Sequence, residues 1–168
     1  MCYNTNMTIH SHYWKKDLLK RADKLSDQVT HIRWGEEALM IMEKVIVLGF
    51  YSVQKLLQEN LLSDKTQNIK ISIKKYPAIT QDNTVIRSST IADLYNLEKH
   101  SKSNQNILFL CHQFLQPRYV EFYYDKNNHP LGLYITSEHN KKKAIFKIEL
   151  SQIIAIFNDA GNDSLTQL

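Results

Sequence analysis

Between Ile107 and Tyr124 the apolar period of the chain changes from helical to alternating, and the change falls on Pro117. A proline biases the residue before it away from the α region, so a helix reaching this point must stop at Gln116. Upstream, Ile107, Leu108, Leu110, Cys111, Phe114 and Leu115 share a broad apolar arc, which predicts a helix over 106–116. Downstream, Val120, Phe122 and Tyr124 alternate with Tyr119, Glu121 and Tyr123. The same alternation returns in Leu131, Leu133, Ile135 and in Ala144, Phe146, Ile148, Leu150, separated by turn-rich 125–130 and by EHNKKK. These three segments predict an antiparallel meander, followed by a closing helix that Ser151 can cap and Gly161 can end. A chain with this corner belongs to neither the all-helical nor the all-β class.

The first half reads as helix. Trp14, Leu18, Ala22, Leu25 and Val29 recur at three- to four-residue steps, predicting an amphipathic helix over 14–29. A second helix is expected from Glu36 to about Leu62, apolar all round through VIVLGFYSV, where Gly49 costs about 1 kcal/mol of helix propensity and implies close approach of a neighbouring element. Ile69, Ile71 and Ile73 alternate with Lys70, Ser72 and Lys74, a strand signal ended by Pro77. Thr80 to Ser89 reads as a loop, Thr90 with Asp93 as a capping box for a short helix through Leu97, and 102–105 as a connector. The expected fold class is α+β: N-terminal helices packed with a small C-terminal antiparallel sheet and a closing C-terminal helix. It forms a single domain, 1–168, with residues 1–13 a candidate flexible lead. Strand order, and whether the Ile69 strand joins the meander, stay open.

At 168 residues such a chain buries about 70% of its unfolded surface, so its core needs no staple. Cys2 and Cys111 form no paired framework, which points to a reducing, cytoplasmic setting. The longest uncharged apolar run, Val45 to Gln54, is half the roughly 20 residues of a spanning helix, and the N-terminus lacks a secretory h-region, so no membrane role is expected. The net charge of +4 is scattered, and lysines outnumber arginines 17 to 4, although base-edge and bidentate phosphate recognition favour arginine. The excess fits lysine-rich solvation and an AT-rich bacterial genome.

Candidate chemistry clusters at the corner. His112 on the helix, with Arg118, Tyr119 and Glu121 at the start of the strand, could supply a general base, a cation for developing phosphate charge and an orienting group. The blander reading is a structural histidine at a helix-to-strand corner. Cys111 beside His112 points about 100° away from it and suits a small core residue. His10 and His12 could present two imidazoles from an extended segment, but no third ligand lies at metal spacing. No Rossmann, Walker, CxxC, HExxH or GxSxG pattern occurs, and neither a metal nor a cofactor is expected. Lys70, Lys74 and the run Lys141, Lys142, Lys143, together with Tyr119, Tyr123 and Tyr134, could form a surface where bases stack above lysines. The alternative is that these lysines serve solubility and edge protection.

Ribonucleases of the HEPN class carry an arginine followed, after four to six intervening residues, by a histidine. None of Arg21, Arg33, Arg87 or Arg118 has one. The pairing of FYSVQKLLQENLLSD, residues 50–64, with LCHQFLQPRYVEF, residues 110–122, resembles a group of small bacterial proteins without an established activity. The resemblance spans most of the chain and brings no established activity with it. The leading expectation is a non-catalytic interaction protein, meeting a protein partner or a second copy through its aromatic sheet face or its apolar second helix. The alternative is a nucleic-acid binder, or a metal-independent nuclease centred on His112 and Arg118.

Overall fold

The computed structural model describes residues 4–29, 35–79 and 90–164. The expected loop over 80–89 lies outside them. Helix α1 (Asn4–Val29) begins ten residues before the Trp14 expected from periodicity, so the His-Ser-His segment is helical rather than extended. Helix α2 (Glu36–Gln58) ends four residues before the expected Leu62. Asn60 takes the left-handed conformation, φ 53°, which asparagine tolerates. The Leu61 and Asn60 amides then turn back onto the Leu56 and Leu57 carbonyls, satisfying carbonyls that the ended helix leaves free. A short helix α3 (Asp64–Gln67), capped by Ser63, follows and has no counterpart in the sequence reading.

Strand β1 (Lys70–Pro77) matches its alternating signal. Helix α4 (Ile91–Leu94) stops short of Leu97; the Asp93 carboxylate accepts from the Thr90 amide and hydroxyl, both at 2.8 Å. The expected connector is instead a strand, β2 (Ser101–Asn106). Helix α5 (Ile107–Leu115) is capped by Asn106, whose side chain accepts from the Phe109 amide at 2.8 Å. Strands β3 (Pro117–Tyr124), β4 (Pro130–Ser137) and β5 (Ala144–Glu149) form the expected meander, and helix α6 (Leu150–Gly161) closes the chain. Glu149, not Ser151, is the N-cap, its amide donating to the Gln152 side chain at 3.1 Å.

The fold is α+β, but the sheet is larger than a meander. Five antiparallel strands lie in the order β2-β1-β5-β4-β3. The helices cover one face, where Ile71, Ile73, Leu133, Ile135, Phe146 and Ile148 meet Phe50, Phe114 and Phe157. Phe50 stacks on Phe114 with centroids 4.3 Å apart and meets Phe157 edge-on at 5.3 Å. A Cβ on Gly49 would sit 2.2 Å from the Phe157 ring, so this glycine is where α6 presses onto α2. At one end of the opposite face, Ile91, Leu94 and Tyr95 form a second apolar cluster with Tyr76 and Ile145. That end is therefore covered rather than wet.

Candidate functional site

Directly opposed residues of neighbouring strands project from the same face. Lys102 pairs with Lys74, Lys74 with Lys147, Lys147 with Tyr134, and Tyr134 with Glu121, giving one row across all five strands. Period-two alternation adds Lys70, Ser72 and Tyr76 from β1, and Tyr119 and Tyr123 from β3. Lys70, Lys74, Lys147, Tyr119 and Tyr123, far apart in sequence, thus share the face turned away from the helices.

Within that face a cleft of about 180 Å³ is lined by Lys74, Lys102 and Lys147, by Ser72, His100 and Gln152, and by Glu149. Among the described residues none of Lys70, Lys74, Lys102 and Lys147 has an ion-pair partner. Like charges placed directly opposite one another across strands are destabilising, and here three lysines stand abreast. Burial, and then the neighbouring Lys74 charge, hold the Lys147 ammonium below the ordinary lysine range, while Glu149 acts in the other direction. The ammonium lies 3.9 Å from the Tyr123 ring centroid and 5.5 Å from that of Tyr134, so the aromatic quadrupoles replace a carboxylate as its neighbour. Gly132 makes this arrangement possible: a Cβ there would lie 2.6 Å from the Tyr123 hydroxyl, and without one the ring folds flat against the sheet. Burial raises the Tyr123 hydroxyl pKa, followed by the Glu149 charge, so it is a neutral hydrogen-bonding group at physiological pH.

The residues of the corner cluster separate. His112 is exposed on α5, on the helical side, where it borders a polar depression with Gln54, Gln113, Gln116, Ser137, His139 and Asn140. Glu121 stands on the opposite face of the sheet, across from Tyr134. Arg118 lies 5.6 Å over the Tyr119 ring and 3.8 Å from Glu138. Tyr119 packs into the second apolar cluster, its hydroxyl buried without a hydrogen-bond partner among the described residues. No hydrogen bond or ion pair joins His112 to Arg118, Tyr119 or Glu121 among the described residues, so the base, the cation and the orienter of a phosphodiester cleavage do not meet. Cys111 is fully buried, and burial pushes its thiol up to about 12, leaving no thiolate for attack. Among the described residues no group of three or more His, Cys, Asp or Glu is placed to hold a metal ion, and no helix is long and apolar enough to cross a membrane.

Lys141, Lys142 and Lys143 lie in the β4–β5 turn, apart from the cleft. Lys141 pairs with Glu138, its carbonyl accepts the Tyr95 hydroxyl at 2.8 Å, and the Lys143 carbonyl accepts the Ala78 amide at 3.0 Å. Part of this run is thus tied into the turn. The sequence reading passed over Lys102 because the strand that carries it has no apolar alternation. It also passed over Gln113, which is buried and whose side-chain oxygen accepts the Ser137 amide at 2.8 Å, pinning the helix-to-strand corner to β4.

Comparison with known proteins places no relative beside this fold: no family model matches the chain, and no curated protein or solved structure is significantly similar to it.

Proposed function

We propose that this chain is a non-catalytic binding protein that holds single-stranded nucleic acid on the part of its second sheet face left open beside the Tyr76–Tyr95 cluster. The observation carrying the reading is the row Lys102, Lys74, Lys147, without ion-pair partners among the described residues, continued by Tyr134 and flanked by Tyr123 and Lys70. Lysine ammoniums neutralise backbone phosphates one at a time and without regard to sequence, and the half-buried Tyr123 and Tyr134 rings beside them add aromatic surface, that of Tyr123 already facing the Lys147 ammonium. The scarcity of arginine suits a binder that tracks backbone rather than one that reads base edges.

Fluorescence anisotropy with labelled oligopyrimidine DNA and RNA tests this. Log affinity should fall with log salt at a slope of about −2 to −3, as expected when three or four phosphates are neutralised on a single strand. The double substitution Lys74→Glu/Lys147→Glu should weaken binding at least tenfold at low salt, with its circular-dichroism melting curve kept close to that of the wild type. Affinity that ignores salt, or that survives the double charge reversal, would overturn the reading.

A specific observation also favours the protein-interaction reading. On α2, Met40 is 65% exposed, Leu48 38% and Tyr51 46%, spaced along one side of the helix. If this stripe binds a second copy of the chain, light scattering should show mass rising with concentration. Met40→Lys/Leu48→Lys should return it to the monomer value. A monomer at every concentration would remove self-association.

A further inference from the structure

We infer that the cavity at the Glu149 end of the open sheet face takes one guanine base of the bound strand, so that a run held by charge is read at a single position. The inference rests on the strand reading above and names the base that the site selects.

Strand register builds the site. Gly132 is the cross-strand neighbour of Tyr123 on one side and of Glu149 on the other. This row lies two residues along from Tyr134 and Lys147, about 7 Å at the rise of a strand, so it borders the lysine row directly. Between Tyr123 and Glu149 there is only a glycine. The Tyr123 hydroxyl lies over it, 2.6 Å from where a Cβ would stand. The Glu149 charge reaches the phenol there, adding to burial in keeping it protonated. A neutral phenol and a carboxylate thus flank one open position.

This pair lines a cavity of about 470 Å³, inside the range of about 300–1,000 Å³ for small-ligand sites. Pro130 and Leu131 from β4, with Leu150 and Ile154 from α6, make its walls apolar, and Leu131 is left exposed although large and hydrophobic. Apolar walls with polar groups at one end suit a flat ring whose faces are apolar and whose edge bonds.

Charge divides the strand between the two rows. Glu149 repels phosphate, which stays with the lysines, and a group seated beside the carboxylate must donate. Guanine alone among the bases carries two adjacent N–H donors on its pairing edge, one for each carboxylate oxygen, and its O6 can accept from the Tyr123 hydroxyl. Adenine and cytosine offer an amino group beside a bare ring nitrogen, and uracil one N–H between two carbonyl oxygens; the carboxylate repels these acceptors. Glu149 is also held in place: it shares a capping box with Gln152 and accepts from the Ser151 hydroxyl at 3.2 Å. A carboxylate has about four lone-pair sites, so acceptor capacity is left for the base.

The experiment measures anisotropy of labelled oligouridine and of the same strand carrying one central guanine, inosine or adenine, with guanosine monophosphate as competitor. The guanine strand should bind at least about fivefold more tightly than the all-uridine one, the lower end for a bidentate base contact. Inosine, which lacks the 2-amino group, and adenine should lose most of that gain. Glu149→Gln, which removes a repulsive charge as well as an acceptor, should tighten binding of the all-uridine strand while abolishing the guanine preference. Ser26→Phe, which plugs the cavity from α1, should abolish the preference too. A Glu149→Gln protein with a lowered melting temperature and an intact preference would show that this residue only caps α6, and overturns the inference. A preference that survives both substitutions overturns it likewise. Equal affinity for every base, with steep salt dependence intact, overturns the guanine inference and leaves the strand reading standing. Full competition by the mononucleotide, with no gain from strand length, supports the cavity as a guanine site and overturns the strand reading. Absence of binding by every probe overturns both.

Discussion

Phe157→Ala is expected to lower stability by about 3–5 kcal/mol, because the ring is fully buried and fills the space between α2 and α6. The ring lies over Gly49 and edge-on to Phe50, which in turn stacks on Phe114, so its removal opens a void at the junction of α2, α5 and α6. The partner substitution gives a sharper test. In the native background Gly49→Ala forces a Cβ to within 2.2 Å of the Phe157 ring, and overpacking of about 1–3 kcal/mol should exceed the roughly 1 kcal/mol gained in helix propensity. In the Phe157→Ala background the obstacle is gone, and the same Gly49→Ala change should stabilise. Equilibrium denaturation of the four proteins measures the cycle directly. An equal cost of Gly49→Ala in both backgrounds would show that this contact is not the reason for the glycine.

Asp163→Ala is expected to cost about 2–4 kcal/mol, the range for stranding donors around a buried, hydrogen-bonded carboxylate. The Asp163 side chain is 4% exposed. It accepts from the Ser63 amide at 2.8 Å, the Thr66 hydroxyl at 2.6 Å and the Ser63 hydroxyl, while Lys15 donates to its backbone carbonyl at 2.7 Å. Asp163, just beyond α6, therefore ties the end of that helix to α1 and to the start of α3. Burial alone would raise this carboxyl, but the hydrogen bonds from Ser63 and Thr66 and the Lys15 charge outweigh it and hold the carboxyl below its ordinary value of 3.8. A carboxyl depressed in the folded state contributes stability that is fully present above its unfolded pKa and is lost as pH falls through the folded one. The stability gap between wild type and Asp163→Asn should be constant near neutrality and shrink below about pH 4. Parallel acid-unfolding curves for the two proteins would show that the carboxylate charge contributes nothing there.

Legibility in the sequence followed burial contrast. The strands with one buried face, β1 and the meander, announced themselves through Ile71, Ile73, Leu133, Ile135, Phe146 and Ile148. The corner at Pro117 was readable because proline restricts its predecessor whatever the surroundings. Strand β2, SKSNQN, was not: as an edge strand it buries little, and without buried positions there is no alternation to detect. The ends of α1 and α2 were misplaced for a different reason. The first turns of α1 carry no apolar period, and α2 stops at a left-handed asparagine although leucines continue to Leu62. The candidate site was legible residue by residue in Lys70, Lys74 and Tyr123, but its composition was not. Lys102 entered with the unforeseen strand, and Glu121 left the histidine cluster when the sheet came between them.

The sequence by itself determined the class of fold, the helix-to-strand corner, the meander and the need for a close approach at Gly49, since each depends on local burial period or on the backbone limits of a single residue. Only the tertiary structure decided that β1 joins β5, that Lys102, Lys74 and Lys147 stand abreast, and that His112 is separated from Glu121. Strand pairing is made by backbone hydrogen bonds that every residue can form, so its register between distant segments leaves little trace in the side chains. That register determines which charges meet.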